Sequence, residues 1–269
     1  MKLLDGLELA GFIKERQAHQ VRALRQSAHV QPKLAIVVTV EHPAIEVYMR
    51  MKQRYGDDIL IQTEVHRVAQ ADAPETIKRL NADKSVHGII VQLPLEDPSQ
   101  TDAVVDLVAP EKDVDALGRH ATLEPATPLA ILWLLAGYNV ELRGKKIVLV
   151  GRGKLVGAPL ERIFTASGYN VEVVDRKTPD MRSVVSTADV LITATGSPGL
   201  VTSDMIKERT VVVDAGVAGE QGKTVGDLAD DVYERDDLTI TPRKGGVGPL
   251  TICALFDNVI RAARQPSES

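Results

Sequence analysis

The chain lacks most of the features that announce a special environment. Cysteine occurs once in 269 residues, as Cys253, which excludes an intrachain disulfide and any zinc site built on several cysteines. Aromatic residues make up only 3%, so the core must be aliphatic. No apolar run approaches the roughly 18 residues that a membrane span needs, and the opening MKLLDGLELA turns acidic too early for a secretory signal. The formal net charge is −5 with 26% charged residues, a mild balance that argues against nucleic acid or an anionic membrane as the main partner. The histidines, His42, His66, His87 and His120 among them, show no metal-ligand spacing such as H-E-x-x-H; they read as surface or turn residues, and no metal is expected. What is left is an ordinary soluble chain for a reducing, cytoplasmic setting, long enough for one large core or two moderate ones.

Two series of alternating strands and helices are present. Leu3 to Ala28 has apolar residues at helical spacing, and LAIVVTV (34–40) is a near-continuous aliphatic run, as in a strand buried on both faces. A helix over His42 to Asp57 follows, with Pro43 suited to its first turn, then strands at ILIQTEVHRV and HGIIVQLPL with a helix over Ala73 to Ala82 between them. The second series has strands at KIVLV, NVEVVD, VLITAT and TVVVDAG, and a short fifth candidate at TIT (239–241). Its final helix, PLTICALFDNVIRAAR, carries an apolar stripe of Ile252, Leu255, Phe256 and Val259 and comes after the second sheet is complete, free to pack back on the first domain. Only the terminal QPSES reads as disordered. Alternation of this kind predicts an α/β fold with open parallel sheets.

Several constellations could carry chemistry. GRGKLVGAPL follows the strand KIVLV and opens a helix, which points backbone N–H groups and a helix dipole toward an anion. Its third glycine, Gly157, comes one place later than in the usual G-x-G-x-x-G. One strand further on, Asp175 stands about where an acid can bind an adenine ribose, so a dinucleotide is the better reading than a bare turn. Tyr48 and Lys52 share one helix face, a pairing suited to proton transfer if the lysine is desolvated; on pattern alone, a surface lysine beside a half-buried tyrosine is commoner. Gln92 ends an aliphatic strand, where open sheets place ligand contacts, and reads equally well as a strand cap. Asp113 and Asp115 in KDVDALG would point the same way in extended chain, as an acid pair or, more commonly, an exposed acidic loop. GGVGPLT (245–251) is glycine-dense before a helix, as a second ligand loop would be.

Together these pieces resemble one family closely, the bifunctional methylenetetrahydrofolate dehydrogenase/methenyltetrahydrofolate cyclohydrolase (FolD) enzymes. YMRMK, GIIVQLPL, PEKDVDALG, GRGKLVGAP, DRKT and ITPRKGGVGPLT occur in the family's order from about Leu34 to Ile260, and the late glycine is the family's own variant of the phosphate turn. The resemblance implies two domains: residues 1–121, completed by helix 249–265, for folate and catalysis, and residues 122–248 as a Rossmann-type NAD(P)-binding domain, with the active site in the cleft between them. It implies oxidation of 5,10-methylenetetrahydrofolate followed by hydrolysis to 10-formyltetrahydrofolate, in the one-carbon metabolism that feeds purine biosynthesis. Lys52 would transfer the proton, with Tyr48 beside it, Gln92 holding it and Asp115 on the pterin head group. Leu93, Gly246, Gly248, Pro249 and Thr251 would complete the folate site. Gly151, Arg152, Gly153, Val156, Gly157, Asp175, Arg176, Thr195, Gly196 and Val217 would line the cofactor. Tetrahydrofolate derivatives are the expected partners, and a homodimer the expected assembly.

The chain departs from the family pattern at several positions. Gly153 replaces a serine, Ala116 a glycine, Ile45 a serine and Leu129 a lysine; Arg243-Lys244 replace Val-Pro ahead of the glycine loop, adding two charges, and Asp175-Arg176 replace His-Ser. Asp175 alone would favour NAD. Arg152, Arg176 and Lys177 cluster where a 2′-phosphate would sit, so NADP is the expected cofactor, with NAD the alternative. Two other functions fit part of the pattern: another NAD(P)-dependent dehydrogenase of a small metabolite, and a non-catalytic nucleotide-binding regulator. A regulator has no need of Tyr48, Lys52, Gln92 and Asp115 together.

Overall fold

A computed structural model describes residues 1–220 and 223–264. Strand β1 (Lys2–Leu3) leads into helix α1 (Gly6–Ser27), which Asp5 caps by accepting from the N–H groups of Leu7 at 2.9 Å and Glu8 at 3.1 Å. There follow β2 (Lys33–Val38), α2 (Pro43–Asp58), β3 (Gln62–Arg67), α3 (Ala73–Ala82), β4 (Gly88–Gln92) and the short α4 (Thr101–Val105). The second series comprises α5 (Ala126–Gly137), β5 (Lys146–Val150), α6 (Gly157–Ala166), β6 (Asn170–Val174), α7 (Met181–Val185), β7 (Val190–Thr193) and β8 (Val211–Asp214). An antiparallel pair, β9 (Ala218–Glu220) and β10 (Lys223–Val225), precedes β11 (Thr239–Ile240) and the last helix, α8 (Val247–Arg264).

The chain divides into two compact units: Met1–Ala10 with Thr127–Thr251, and Gly11–Ala126 with the chain from Ile252 onward. In the latter, β3, β2 and β4 form a parallel sheet in that spatial order, so the order reverses between β2 and β4. Leu34, Ala35, Ile36 and Val37 of β2 have no exposed surface, as the unbroken aliphatic run requires of a strand covered on both faces. Ala35 and Val37 pack with Ile89 and Val91 of β4 and with Ile77 and Leu80 of α3. From α8, Leu255, Phe256 and Val259 of the predicted stripe are buried, and the Phe256 ring lies 5.0 Å from that of Tyr55 on α2; Ile252 is only partly covered.

The other unit holds a six-stranded parallel sheet in the order β1-β11-β8-β7-β5-β6. Counted from β5, the order runs second, first, third, fourth, fifth, one of the two common doubly wound arrangements, and it reverses between β5 and β7. Its core is aliphatic, with Val148, Val150, Leu191, Val212 and Ile240 buried together. One element departs from the sequence reading, which keeps Met1 to Ala10 with the residues that follow. Here they belong to the six-stranded unit, because β1 adds to the free edge of β11 through backbone bonds from Lys2 to Leu238 O (2.9 Å) and from Leu4 to Ile240 O (2.8 Å). Two residues with exposed side chains carry no periodicity from which to read a strand. Helix α8 also begins two residues earlier than PLT, at Val247. The expectation for 265–269 lies outside the described residues.

Candidate active site

The reversal point of an open parallel sheet leaves a crevice beyond the carboxyl ends of its strands. In the three-stranded unit that point falls between β2 and β4, and the candidate catalytic residues gather there. Gln92 is the last residue of β4, paired across to Val38, the last of β2. Helix α2 starts soon after β2 and presents Tyr48 and Lys52 one turn apart. The Lys52 ammonium donates to Gln92 Oε1 at 2.8 Å, and the Gln92 amide in turn donates to Leu93 O at 2.8 Å, which fixes which end of the amide faces the lysine. Gln92 is therefore more than a strand cap. Tyr48, one turn before Lys52, remains 42% exposed. Burial holds Lys52 below the usual lysine range, and the nearby Asp115 carboxylate partly offsets that shift. Burial likewise raises Asp115, opposed by the Lys52 charge. A lysine displaced in this direction is easier to deprotonate, which is what a proton-transfer group near neutral pH requires.

The acid pair does not form as extended chain would place it. Asp113 is 4% exposed and turns into its own loop, where Oδ2 accepts from Gly118 N at 2.8 Å. Asp115 is the one whose charge acts on Lys52. The difference arises because residues 113–116 form a turn, closed by a bond from Ala116 N to Asp113 O at 3.2 Å and ending with Ala116 at φ +54°, instead of continuing extended. Asn258 of α8 pins this loop by donating to Val114 O and Glu124 O, both at 2.9 Å, a support with no signal in the sequence beyond a polar residue interrupting an apolar stripe. A left-handed backbone costs an alanine roughly 1 kcal/mol relative to glycine. Ala116→Gly, which restores the family residue, is therefore expected to raise unfolding stability by about 1 kcal/mol in a denaturant titration.

In the six-stranded unit the reversal point is flanked by the turn after β5 and the loop after β7. At Gly151, with φ +106°, an added Cβ would lie 2.6 Å from Ala194 O, and at Gly157 one would collide with Gly151 O. The late glycine is thus required by close packing of the α6 start against the turn. Gly153 faces open space, so the family's serine would fit there without displacement. Val156 precedes the first residue of α6 and offers no side-chain cap, leaving the helix start to other acceptors. Arg152 is engaged by Glu161 of α6 in a bidentate pair at 2.7 and 2.8 Å. Asp175 Oδ1 accepts from Lys177 N at 2.8 Å and its own N–H donates to Thr178 Oγ1 at 3.1 Å, so it caps the turn after β6, while Arg176 and Lys177 are exposed. Thr195 and Gly196 follow β7, and Val217, 61% exposed, follows β8. A phosphate turn with a helix start, glycine-only packing and cations at the end of the second strand fit a dinucleotide phosphate.

Two carboxylates that the sequence pattern does not single out, Asp214 partly buried and Asp227 fully so, organise these loops. Asp214, the last residue of β8, accepts from Thr193 Oγ1 (3.0 Å), Gly216 N (2.9 Å), Asp227 N (3.1 Å), Leu228 N (3.2 Å) and Tyr233 Oη (3.4 Å). Burial pushes its carboxyl up, against those N–H donors. Asp227, with no exposed surface, accepts from Thr195 N at 2.6 Å and Ser197 N at 2.8 Å. An acid at the carboxyl end of the apolar TVVVDAG was the available signal for Asp214; Asp227 sits in a segment without regular pattern. The charge added at Arg243 is absorbed locally: its guanidinium lies 4.2 Å from the centre of the Tyr233 ring and pairs with Asp230. In the glycine loop, Gly246 is buried against the backbone around Gly6, Gly248 and Pro249 lie in the first turn of α8, and Thr251 Oγ1 donates to Val247 O at 3.3 Å. Among the described residues, no His, Cys, Asp or Glu cluster suits a metal ion, and no helix is long and apolar enough to cross a membrane.

Fold and site together define a two-unit α/β protein with a hydrogen-bonded lysine–glutamine pair at the reversal point of one parallel sheet and a glycine turn of the dinucleotide-binding kind at that of the other. The chain matches the tetrahydrofolate dehydrogenase/cyclohydrolase catalytic domain over residues 4–115 and the NAD(P)-binding domain of the same family over residues 125–267. It is 37% identical to the bifunctional protein FolD of Exiguobacterium sibiricum, across 97% of this chain and 99% of that one. Among solved structures, it is similar to the bifunctional FolD methylenetetrahydrofolate dehydrogenase/cyclohydrolase of Campylobacter jejuni, with a TM-score of 0.92, 34% identity and 98% of each chain covered. The Trypanosoma brucei methylenetetrahydrofolate dehydrogenase-cyclohydrolase, solved with NADP and an inhibitor, superposes with a TM-score of 0.91 at 28% identity, over 99% of this chain and 98% of that one. The chain belongs to the tetrahydrofolate dehydrogenase/cyclohydrolase family.

Proposed function

We propose that the protein oxidises 5,10-methylenetetrahydrofolate to 5,10-methenyltetrahydrofolate with NADP and hydrolyses the product to 10-formyltetrahydrofolate. The observation that carries this reading is the Lys52–Gln92 bond at the reversal point of the three-stranded sheet, in a chain of this family. Lys52 moves the proton at the reacting carbon during hydration and ring opening. Gln92 orients the ammonium, Tyr48 presents its ring beside it, and Asp115 offers two acceptor oxygens to N–H groups of the pterin head. Leu93, Gly246, Gly248, Pro249 and Thr251 are assigned to the folate surface. When bound, NADP supplies the hydride acceptor. Gly151, Gly153, Val156 and Gly157 cradle its phosphates, and Thr195, Gly196 and Val217 line its site. A regulator would have no use for the Lys52, Gln92 and Asp115 set. We further assign a homodimer in the cytoplasm, supported by membership of this family.

The direct test is absorbance of reduced cofactor and methenyl product when folded protein meets 5,10-methylenetetrahydrofolate with NADP or NAD; no turnover with either would sink the reading. Cofactor choice has its own variant. With Arg152 engaged by Glu161 and Asp175 capping its turn, the exposed Arg176 is the group placed to meet a 2′-phosphate. Arg176→Ser is expected to raise the KM for NADP about tenfold or more, the loss of one charge-assisted contact, while the KM for NAD stays within about twofold. A preference for NAD in the unsubstituted enzyme that turns toward NADP on Asp175→Ser would instead make the carboxylate decisive.

A further inference from the structure

We infer that Asp227, supported by Asp214, is the positioning residue for the cofactor loops, and that its two carboxylate bonds set the affinity for the nicotinamide dinucleotide while leaving the hydrolytic site untouched. The inference rests on the dehydrogenase/cyclohydrolase reading above and assigns a role that the lysine centre does not explain. Three observations carry it.

The first is place. Asp227 accepts from Thr195 N at 2.6 Å and from Ser197 N at 2.8 Å, so both of its oxygens are spent on the loop that follows β7. That loop forms one wall of the crevice at the reversal between β5 and β7, where open sheets bind dinucleotides. The opposite wall is the phosphate turn, and the two touch: a Cβ at Gly151 would lie 3.0 Å from Thr195 Cγ2. A shift of the Thr195 segment therefore alters the width of the crevice directly.

The second is connection. Asp227 N–H donates to Asp214 Oδ1 at 3.1 Å, and the same oxygen accepts from Thr193 Oγ1 on β7 and from Gly216 N in the loop after β8. Two carboxylates thus tie the ends of β7 and β8 to the segment around Leu228. There is no slack between them, because a Cβ at Gly216 would collide with the Asp227 carboxylate, and one at Gly226 with that of Asp214. The third is cost. A fully buried carboxylate is retained only where its hydrogen bonds offset the loss of solvation, and the donors around Asp227 all belong to cofactor-side loops. Every residue in the network lies in the six-stranded unit, whereas Tyr48, Lys52, Gln92 and Asp115 lie in the other.

Asp227→Asn tests this, since it keeps shape and one acceptor oxygen but sets an amide N–H₂ against a backbone N–H. In the full-length enzyme the KM for NADP is expected to rise about tenfold, the cost of one charged hydrogen bond, with kcat at saturating NADP nearly kept and methenyltetrahydrofolate hydrolysis, measured without cofactor, changed less than about twofold. An unchanged KM for NADP, or hydrolysis falling in proportion to oxidation, would overturn the inference, the latter showing general loss of structure. If Asp227→Asn does not fold, Thr193→Val decides: it removes one neutral donor to Asp214 at nearly constant volume, and is expected to raise the KM for NADP about threefold, the lower end for a single hydrogen bond, again with hydrolysis retained. No change in that KM would overturn the inference. Failure of the unsubstituted enzyme to oxidise 5,10-methylenetetrahydrofolate would instead strike the underlying functional reading.

Discussion

Lys52→Met is expected to lower methenyltetrahydrofolate hydrolysis by roughly 100- to 10,000-fold, the range of a positioned acid–base group, in a protein that remains folded. Methionine matches the alkyl stem of the lysine but presents no proton. Its neighbours show what else changes: Gln92 Oε1 loses the donor 2.8 Å away, while its amide keeps its bond to Leu93 O. The folding cost is small because the ammonium is held at a desolvated position that disfavours its charge, so removing the charge offsets much of the lost hydrogen bond. The measurement is hydrolysis of pre-formed methenyltetrahydrofolate, alongside a thermal melt that confirms folding. Hydrolysis at the unsubstituted rate would show that another group carries the proton.

Asp115→Asn should act on two observables at once. Losing one charged hydrogen-bond partner costs about 1.5 to 3 kcal/mol, so the KM for the folate substrate is expected to rise by about 10- to 150-fold. The same change should displace the pH dependence of hydrolysis. Burial lowers the Lys52 pKa and the Asp115 carboxylate raises it; without that negative charge the protonated lysine loses its support, and its pKa falls further. The limb of the profile governed by Lys52 protonation therefore moves to lower pH. A rise in KM with that limb unmoved would mean that Asp115 holds the folate without acting on the lysine, and the coupling would be abandoned.

Much of this architecture was legible before any coordinates. LAIVVTV, HGIIVQLPL, KIVLV and VLITAT are aliphatic runs bounded by turn residues, and such runs have one good solution, a parallel strand covered on both faces. Tyr48 and Lys52 had to share a helix face, because four residues make about one turn. The glycines of GRGKLVGAPL announced a turn in which backbone replaces side chain. These features are local: propensity, periodicity and close-range sterics settle them, and the order of motifs along the chain was enough to indicate the family.

The remainder depended on residues far apart in the chain. Nothing in KDVDALG says that Asp113 folds into its own loop while Asp115 acts on Lys52; that follows from the turn over residues 113–116 and from Asn258 reaching back from the last helix. Arg243 looked like a charge added near the ligand until Tyr233 and Asp230 took it up, and Arg152 looked free to bind phosphate until Glu161 engaged it. Met1 to Ala10 joined the six-stranded unit because a free sheet edge accepts any short extended segment through its backbone, whatever the side chains. Asp214 and Asp227 acquired their role for the same kind of reason. A carboxylate's function is set by which N–H groups surround it once water is excluded, and apart from Gly216 N, two residues from Asp214, those donors lie 13 to 32 residues away in sequence.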